Sequence, residues 1–139
     1  MSQLVFYRKY RPKLFSEVIN QKNVIETLKN ALIRDEISHA YLFCGPRGSG
    51  KTTVARLLAK SLNCLNRKKG EYEPCNQCAS CEAINNNNSL DIIEIDAASN
   101  RGIDDIRDLR ESIKFAPTTS KYKIYIIDEA HQITKDAFN

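Results

Sequence analysis

Gly45-Pro46-Arg47-Gly48-Ser49-Gly50-Lys51-Thr52 fills every fixed position of the pattern G-x-x-x-x-G-K-[ST], and its flanks decide how it is read. Before it, Ala40-Tyr41-Leu42-Phe43-Cys44 is a short apolar run suited to a buried strand; after it, Val54, Leu57, Leu58 and Leu62 recur at helical spacing. Strand, glycine loop and helix in that order make a P-loop. The glycines let the backbone fold around phosphate and aim N–H groups at it, and the start of the helix adds free N–H groups and its positive dipole end. Lys51 is placed to reach the β- and γ-phosphates of a nucleotide, and the Thr52 hydroxyl to bind Mg²⁺. An ordinary glycine-rich turn needs neither Lys51 nor Thr52.

The second half of the pattern lies far along the chain. Lys123-Ile124-Tyr125-Ile126-Ile127 is an apolar run that leads directly into Asp128-Glu129-Ala130-His131, the form of a Walker B motif. A carboxylate at the end of a strand beside a P-loop can hold the hydration shell of Mg²⁺, and a second can orient the attacking water. Asp128 takes the first role and Glu129 the second. Acids that merely cap the next helix would leave the upstream loop unexplained.

Between the two motifs the chemistry changes. Cys64, Cys75, Cys78 and Cys81 form C-x₁₀-C-x₂-C-x₂-C in a polar, turn-rich segment. Two overlapping C-x₂-C knuckles and one upstream cysteine suit tetrahedral Zn²⁺ in a closed structural site. An iron–sulfur cluster and a disulfide pair are the alternatives for such spacings. The insertion is expected over 63–89, closed by the low-complexity run Asn85-Asn86-Asn87-Asn88-Ser89. The fifth cysteine, Cys44, reads as core.

At 139 residues, with 42% hydrophobic and 27% charged residues, the chain has the composition of one ordinary globular domain. A net charge of +4 tolerates a nucleotide or nucleic-acid partner without demanding one. No apolar run approaches the roughly eighteen residues of a membrane span, and the N-terminus has no signal-peptide pattern, so a cytoplasmic protein is expected. Ser16 is placed to cap a turn through Val18-Ile19, and Asn20 to cap a helix carrying Val24, Ile25, Leu28, Ala31 and Leu32 on one face. Ile92, Ile93 and Ile95 make a second buried strand. Ile103, Ile106, Leu109 and Ile113 repeat at helical spacing up to Pro117. Three strands alternating with helices predict an α/β fold with a parallel sheet and right-handed crossovers. The chain reaches Asn139 only a turn or two past Walker B, so it reads as a domain cut short there.

Taken together these residues resemble the N-terminal part of the gamma/tau family of bacterial DNA polymerase III subunits, the ATPase motors of the clamp loader. The resemblance spans nearly the whole chain and rests on Tyr10-Arg11-Pro12, Gly45 to Thr53, the four-cysteine insertion, Glu94-Ile95-Asp96-Ala97-Ala98-Ser99 and Ile127-Asp128-Glu129-Ala130-His131. It implies an AAA+ P-loop NTPase fold that binds ATP with Mg²⁺, with Tyr10, Arg11, Pro12 and Val18 near the adenine. It also implies zinc at Cys64, Cys75, Cys78 and Cys81, and Glu129 positioning the hydrolytic water. The expected partners are the other clamp-loader subunits in a hetero-pentameric ring, the sliding clamp and primed DNA. The family's sensor residues and arginine finger lie beyond Walker B, so these 139 residues alone are expected to hydrolyse ATP poorly or not at all. Two rival readings stand beside it. Asp128-Glu129-Ala130-His131 spells the DEAH box of a helicase class, and a zinc-dependent interaction module with an idle nucleotide site would carry the same cysteines.

Overall fold

A computed structural model describes residues 11–19, 21–43, 50–96, 107, 111 and 121–128. Its elements in chain order are a 3₁₀ turn (Phe15–Glu17), α1 (Lys22–Arg34), α2 (Lys51–Asn63), α3 (Ala79–Asn85), β1 (Ile92–Asp96) and β2 (Ile124–Asp128).

The apolar stripe of α1 behaves as its spacing predicts. Leu28 and Leu32 are buried, Val24 and Ile25 pack beside them, and they meet Val54, Leu57 and Leu58 of α2 in one cluster that also takes in Phe15. Its start differs from expectation. The residue flanking α1 is Gln21, whose side chain makes no capping bond, and Asn20 lies outside the described residues. The 3₁₀ turn also comes earlier than expected, with Ser16 inside it rather than capping it. Burial of the Phe15 ring draws the turn toward the core, while Ile19 stays exposed.

The α2 helix holds the described residues together. Arg56 pairs with Glu94 of β1, with Nη2 donating to Oε2 at 2.6 Å. At the other end the buried Asn63 side chain pairs with the backbone N–H and C=O of a single residue, as a neighbouring strand would. Its Nδ2 donates to the Tyr122 carbonyl at 3.0 Å, and its Oδ1 accepts from the Tyr122 N–H at 2.9 Å. These contacts fix the start of β2 against the end of α2. The Arg67 guanidinium covers the last turns of two helices by donating to the carbonyls of Ser61 at 2.7 Å and Leu32 at 3.5 Å.

β1 and β2 pair in parallel, with Ile92 opposite Ile124 and Asp96 opposite Asp128. Both strands therefore carry an aspartate at their carboxyl ends, where ligands of open α/β sheets bind. The expected strand over Ala40–Cys44 does not form among the described residues, since 40–43 carry no strand structure. Tyr41 and Phe43 instead stack on each other, with ring centroids 6.4 Å apart, and pack on the helical cluster, while Leu42 is 82% exposed. A parallel strand needs a neighbouring ladder, and neither β1 nor β2 supplies one here. For the same reason β1 and β2 are less enclosed than expected: of their isoleucines only Ile126 is buried, and Ile127 is 39% exposed. Arg107 and Glu111 are helical, as the 103–113 spacing predicts; the rest of that helix, Cys44 and the crossover direction lie outside the described residues.

Candidate nucleotide site and metal centre

Gly50 turns the chain into α2. It holds φ 86°, a left-handed conformation that a side chain disfavours, and its carbonyl accepts the first helical bond from Val54 at 3.0 Å. Lys51 and Thr52 consequently occupy the first turn, with Thr53 behind them. β2 arrives at the same point from a distance of 76 residues, and Thr52 Oγ1 donates to Asp128 Oδ2 at 3.3 Å. A hydroxyl and a carboxylate meet at a helix N-terminus beside a strand end, a donor set of hard oxygens suited to Mg²⁺. Lys51 lies on a neighbouring cavity of about 300 Å³, whose walls include Val24, Leu28, Tyr41, Phe43 and Val54.

Not every expected site residue is gathered here. Arg11, Pro12 and Val18 do not line that cavity; Val18 packs on the helical cluster instead. Tyr10, Gly45, Pro46, Arg47, Gly48, Ser49 and Glu129 lie outside the described residues, as do Ala130 and His131.

The cysteine centre is complete. The Sγ atoms of Cys64, Cys75, Cys78 and Cys81 lie within 4.8 Å of one another, and all four are free thiols. Backbone donors surround them in the manner of a metal knuckle. Cys75 N–H donates to Cys64 Sγ at 3.3 Å, and both Gln77 and Cys78 N–H donate to Cys75 Sγ, at 3.3 Å and 3.2 Å. Cys81 N–H donates to Cys78 Sγ at 3.4 Å, where the Cys78 side chain caps α3. This helix was not legible in a segment that reads as polar and turn-rich. It begins inside the second knuckle, presents Cys81 and Ile84 to the interior, and ends at Asn85, so the asparagine run closes a helix as well as a loop. Asn87 at φ 58° supplies the left-handed residue of that closure.

The thiols are electrostatically unequal. Burial pushes Cys75 up, but the N–H groups of Gln77 and Cys78 and the side chains of Cys64 and Cys78 outweigh it and hold the thiol at about 6. Burial pushes Cys81 well above the ordinary thiol range, against the Asn76 N–H and assisted by Cys78 and Cys64. Four clustered thiols cannot all ionise without a cation among them, and this makes the group a candidate metal centre. Lys60, 3% exposed, sits behind it. Burial lowers its pKa, and the neighbouring Cys81 acts in the opposite direction.

Sequence reasoning missed Glu73, Asn63, Arg56 and Lys60. None belongs to a motif, and their partners lie 25 to 59 residues away, a relation that spacing along the chain does not encode.

The helix opening on Gly50-Lys51-Thr52, the parallel strand pair and the cysteine cluster are the parts of an AAA+ clamp-loader domain. A family model described as DNA polymerase III, delta subunit, matches residues 20–139, and the chain belongs to that family. Relatives along the whole chain carry the gamma and tau names that the motifs suggest. The DNA polymerase III subunit tau of Bacillus subtilis (strain 168) is 51% identical over 100% of this chain and 24% of its own length. The gamma/tau subunit of Mycobacterium tuberculosis (strain ATCC 25618 / H37Rv) is 48% identical over 98% of this chain and 24% of its own length. The gamma subunit of Buchnera aphidicola subsp. Acyrthosiphon pisum (strain APS) is 43% identical over 100% of this chain and 38% of its own length. The chain thus spans well under half of these relatives. The comparisons lend nothing to the helicase reading. Among the described residues no helix is long and apolar enough to cross a membrane.

Proposed function

We propose that the chain is the nucleotide-binding part of a DNA polymerase III clamp-loader motor, which couples ATP binding and hydrolysis to loading of the sliding clamp on primed DNA in the cytoplasm. The observation that carries this reading is the 3.3 Å contact between Thr52 Oγ1 and Asp128 Oδ2. Residues 76 positions apart meet where a P-loop and a Walker B strand have to converge. In this reading the backbone of Gly45 to Gly50 cradles the phosphates, Lys51 neutralises the β- and γ-phosphates, and Thr53 completes the first turn beneath them. Thr52 and Asp128 hold Mg²⁺, whose charge offsets that of the polyphosphate. Glu129, the next residue after β2, orients water, and Tyr10, Arg11, Pro12 and Val18 face the adenine. The other clamp-loader subunits, in a hetero-pentameric ring, are its partners. Supplied without those partners and without residues beyond Asn139, the 139-residue chain turns over ATP poorly or not at all.

The cysteine loop, 63–89, is proposed as a structural zinc site. Zn–S bonds of about 2.3 Å in a tetrahedron place sulfurs roughly 3.8 Å apart. Cys75 and Cys81 are 4.0 Å apart at sulfur, and the whole set spans 4.8 Å. That space suits one ion rather than the several irons of a cluster, and all four cysteines are free thiols rather than disulfide-bonded.

Titration of ATP into the chain by calorimetry, with Mg²⁺ and with chelator, tests the nucleotide reading. Binding that needs Mg²⁺ and disappears in Lys51→Ala supports it. Equal binding by wild type and Lys51→Ala would remove it.

A further inference from the structure

The cysteine loop grips the N-terminal segment through contacts that neither the metal nor the nucleotide reading uses. Glu73, two residues before Cys75, turns its carboxylate on two backbone donors: Phe15 N–H donates to Oε1 at 2.6 Å and Ser16 N–H to Oε2 at 3.3 Å. Asn76, the residue after Cys75, donates from Nδ2 to the Lys13 carbonyl at 3.0 Å. Lys60 Nζ donates to the same carbonyl at 2.9 Å and to Asn85 Oδ1 at 3.0 Å, and Asn85 returns to Asn76 Oδ1 at 3.2 Å. The Phe15 ring lies 6.4 Å from that of Tyr72. These partners are distant in sequence, so the loop and α2 hold residues 13–16 in addition to the turn's own bonds, from Glu17 N–H to the Leu14 carbonyl at 3.2 Å and from Val18 N–H to the Phe15 carbonyl at 3.1 Å. Phe15 in turn belongs to the apolar cluster that includes Val54, one turn beyond Lys51, and Val18 packs on that cluster.

We infer that the cysteine loop braces the N-terminal segment 13–18 with Glu73 as the positioning residue, and that metal in the loop is thereby linked to nucleotide at Lys51. The linkage rests on the metal and ATP readings proposed above; the brace rests on the contacts alone. A carboxylate that accepts two N–H groups makes charge-assisted bonds, but only while the loop holds Glu73 over the 3₁₀ turn. A loop that depends on an ion to gather four thiolates loses that geometry when the ion leaves. Segment 13–18 then loosens, and part of the ordering cost falls on nucleotide binding. Linkage is reciprocal, so ATP slows loss of the metal by the same account.

The test uses the full-length chain, zinc-loaded and zinc-stripped, as wild type, Glu73→Ala and Glu73→Gln, with Lys51→Ala as control. Hydrogen exchange at 13–18 and calorimetric ATP affinity are read together. In wild type, zinc removal speeds exchange of the Phe15 and Ser16 amides about tenfold or more and weakens ATP binding about fivefold or more. Zinc-loaded Glu73→Ala shows both changes while retaining its zinc, and stripping it adds little. Glu73→Gln, which keeps a carbonyl acceptor for one N–H, falls between, and it decides by the same criterion if Glu73→Ala fails to fold. Wild-type exchange and affinity in zinc-loaded Glu73→Ala, or full protection of 13–18 after stripping, would overturn the inference. ATP binding by Lys51→Ala equal to wild type instead removes the nucleotide reading and the linkage with it, while exchange still judges the brace.

Discussion

Gly50 is the residue on which the start of α2 depends, and the space around it isolates the reason. Its φ is 86°, and a Cβ added there meets nothing within 4 Å. The cost of Gly50→Ala is therefore backbone strain alone, about 1–2 kcal/mol. Urea unfolding of the two proteins should show a loss of that size with an unchanged slope; no loss would mean that the turn relaxes out of the left-handed region. Two residues on, Thr52 and Asp128 make a contact whose meaning depends on charge. Thr52→Ser retains the hydroxyl that meets Asp128 Oδ2 and should bind Mg²⁺-ATP close to wild type, whereas Thr52→Ala should bind at least tenfold more weakly, about 1.4 kcal/mol. Without Mg²⁺ the two variants should converge. Calorimetry with and without the ion decides it, and an equal loss in both variants would sink the assignment of the hydroxyl to the metal.

At the scale of elements, the contacts that join α2 to the strands bear most weight. The buried Asn63 side chain bonds through both its Nδ2 and its Oδ1 to the backbone of the more exposed Tyr122. Asn63→Ala leaves a peptide N–H and a carbonyl without those partners, which costs roughly 1–3 kcal/mol. Thermal unfolding should register this as a clear drop in midpoint, and an unchanged midpoint would show that β2 is held from elsewhere. The cysteine loop calls for a different measurement. Removing metal should release amide protection over 64–81, while α1 and the middle of α2, which supply Leu28, Leu32, Val54, Leu57 and Leu58 of the apolar cluster, keep theirs; a uniform loss would make the metal a requirement for the whole chain. Legibility in the sequence divides along the same line. α1 and α2 were readable because Leu28, Leu32, Val54 and Leu57 recur at helical spacing, β1 and β2 because their isoleucines form short apolar runs, and the cysteine centre because its four ligands sit at knuckle spacing. The strand expected over 40–44 was not sound, because an apolar run specifies burial but not a ladder partner. α3 was hidden because a seven-residue helix held by Cys78 and Cys81 has little apolar period to display. Glu73, Asn63 and Lys60 were beyond reach, since their roles arise only after α2, the loop and the N-terminal segment are folded together.

For the whole molecule, the described parts place the Gly50 turn, an acidic strand end and a thiol-rich loop along one helix. α2 begins at the first, meets β2 beside the second through Thr52 and Asp128, and ends at Asn63, one residue before Cys64, the first thiol of the third. Such a helix is suited to relay between a nucleotide at its start and the cysteine loop at its end. The most direct measurement is steady-state ATPase of the full-length chain assembled with the clamp-loader subunits proposed as its partners, compared without DNA, with single-stranded DNA, and with primed DNA plus sliding clamp. The clamp-loader reading predicts strong stimulation by primed DNA and clamp together, lost in Lys51→Ala, with no strand separation. Turnover and unwinding driven by single-stranded DNA alone, or turnover indifferent to clamp and primer, would contradict it.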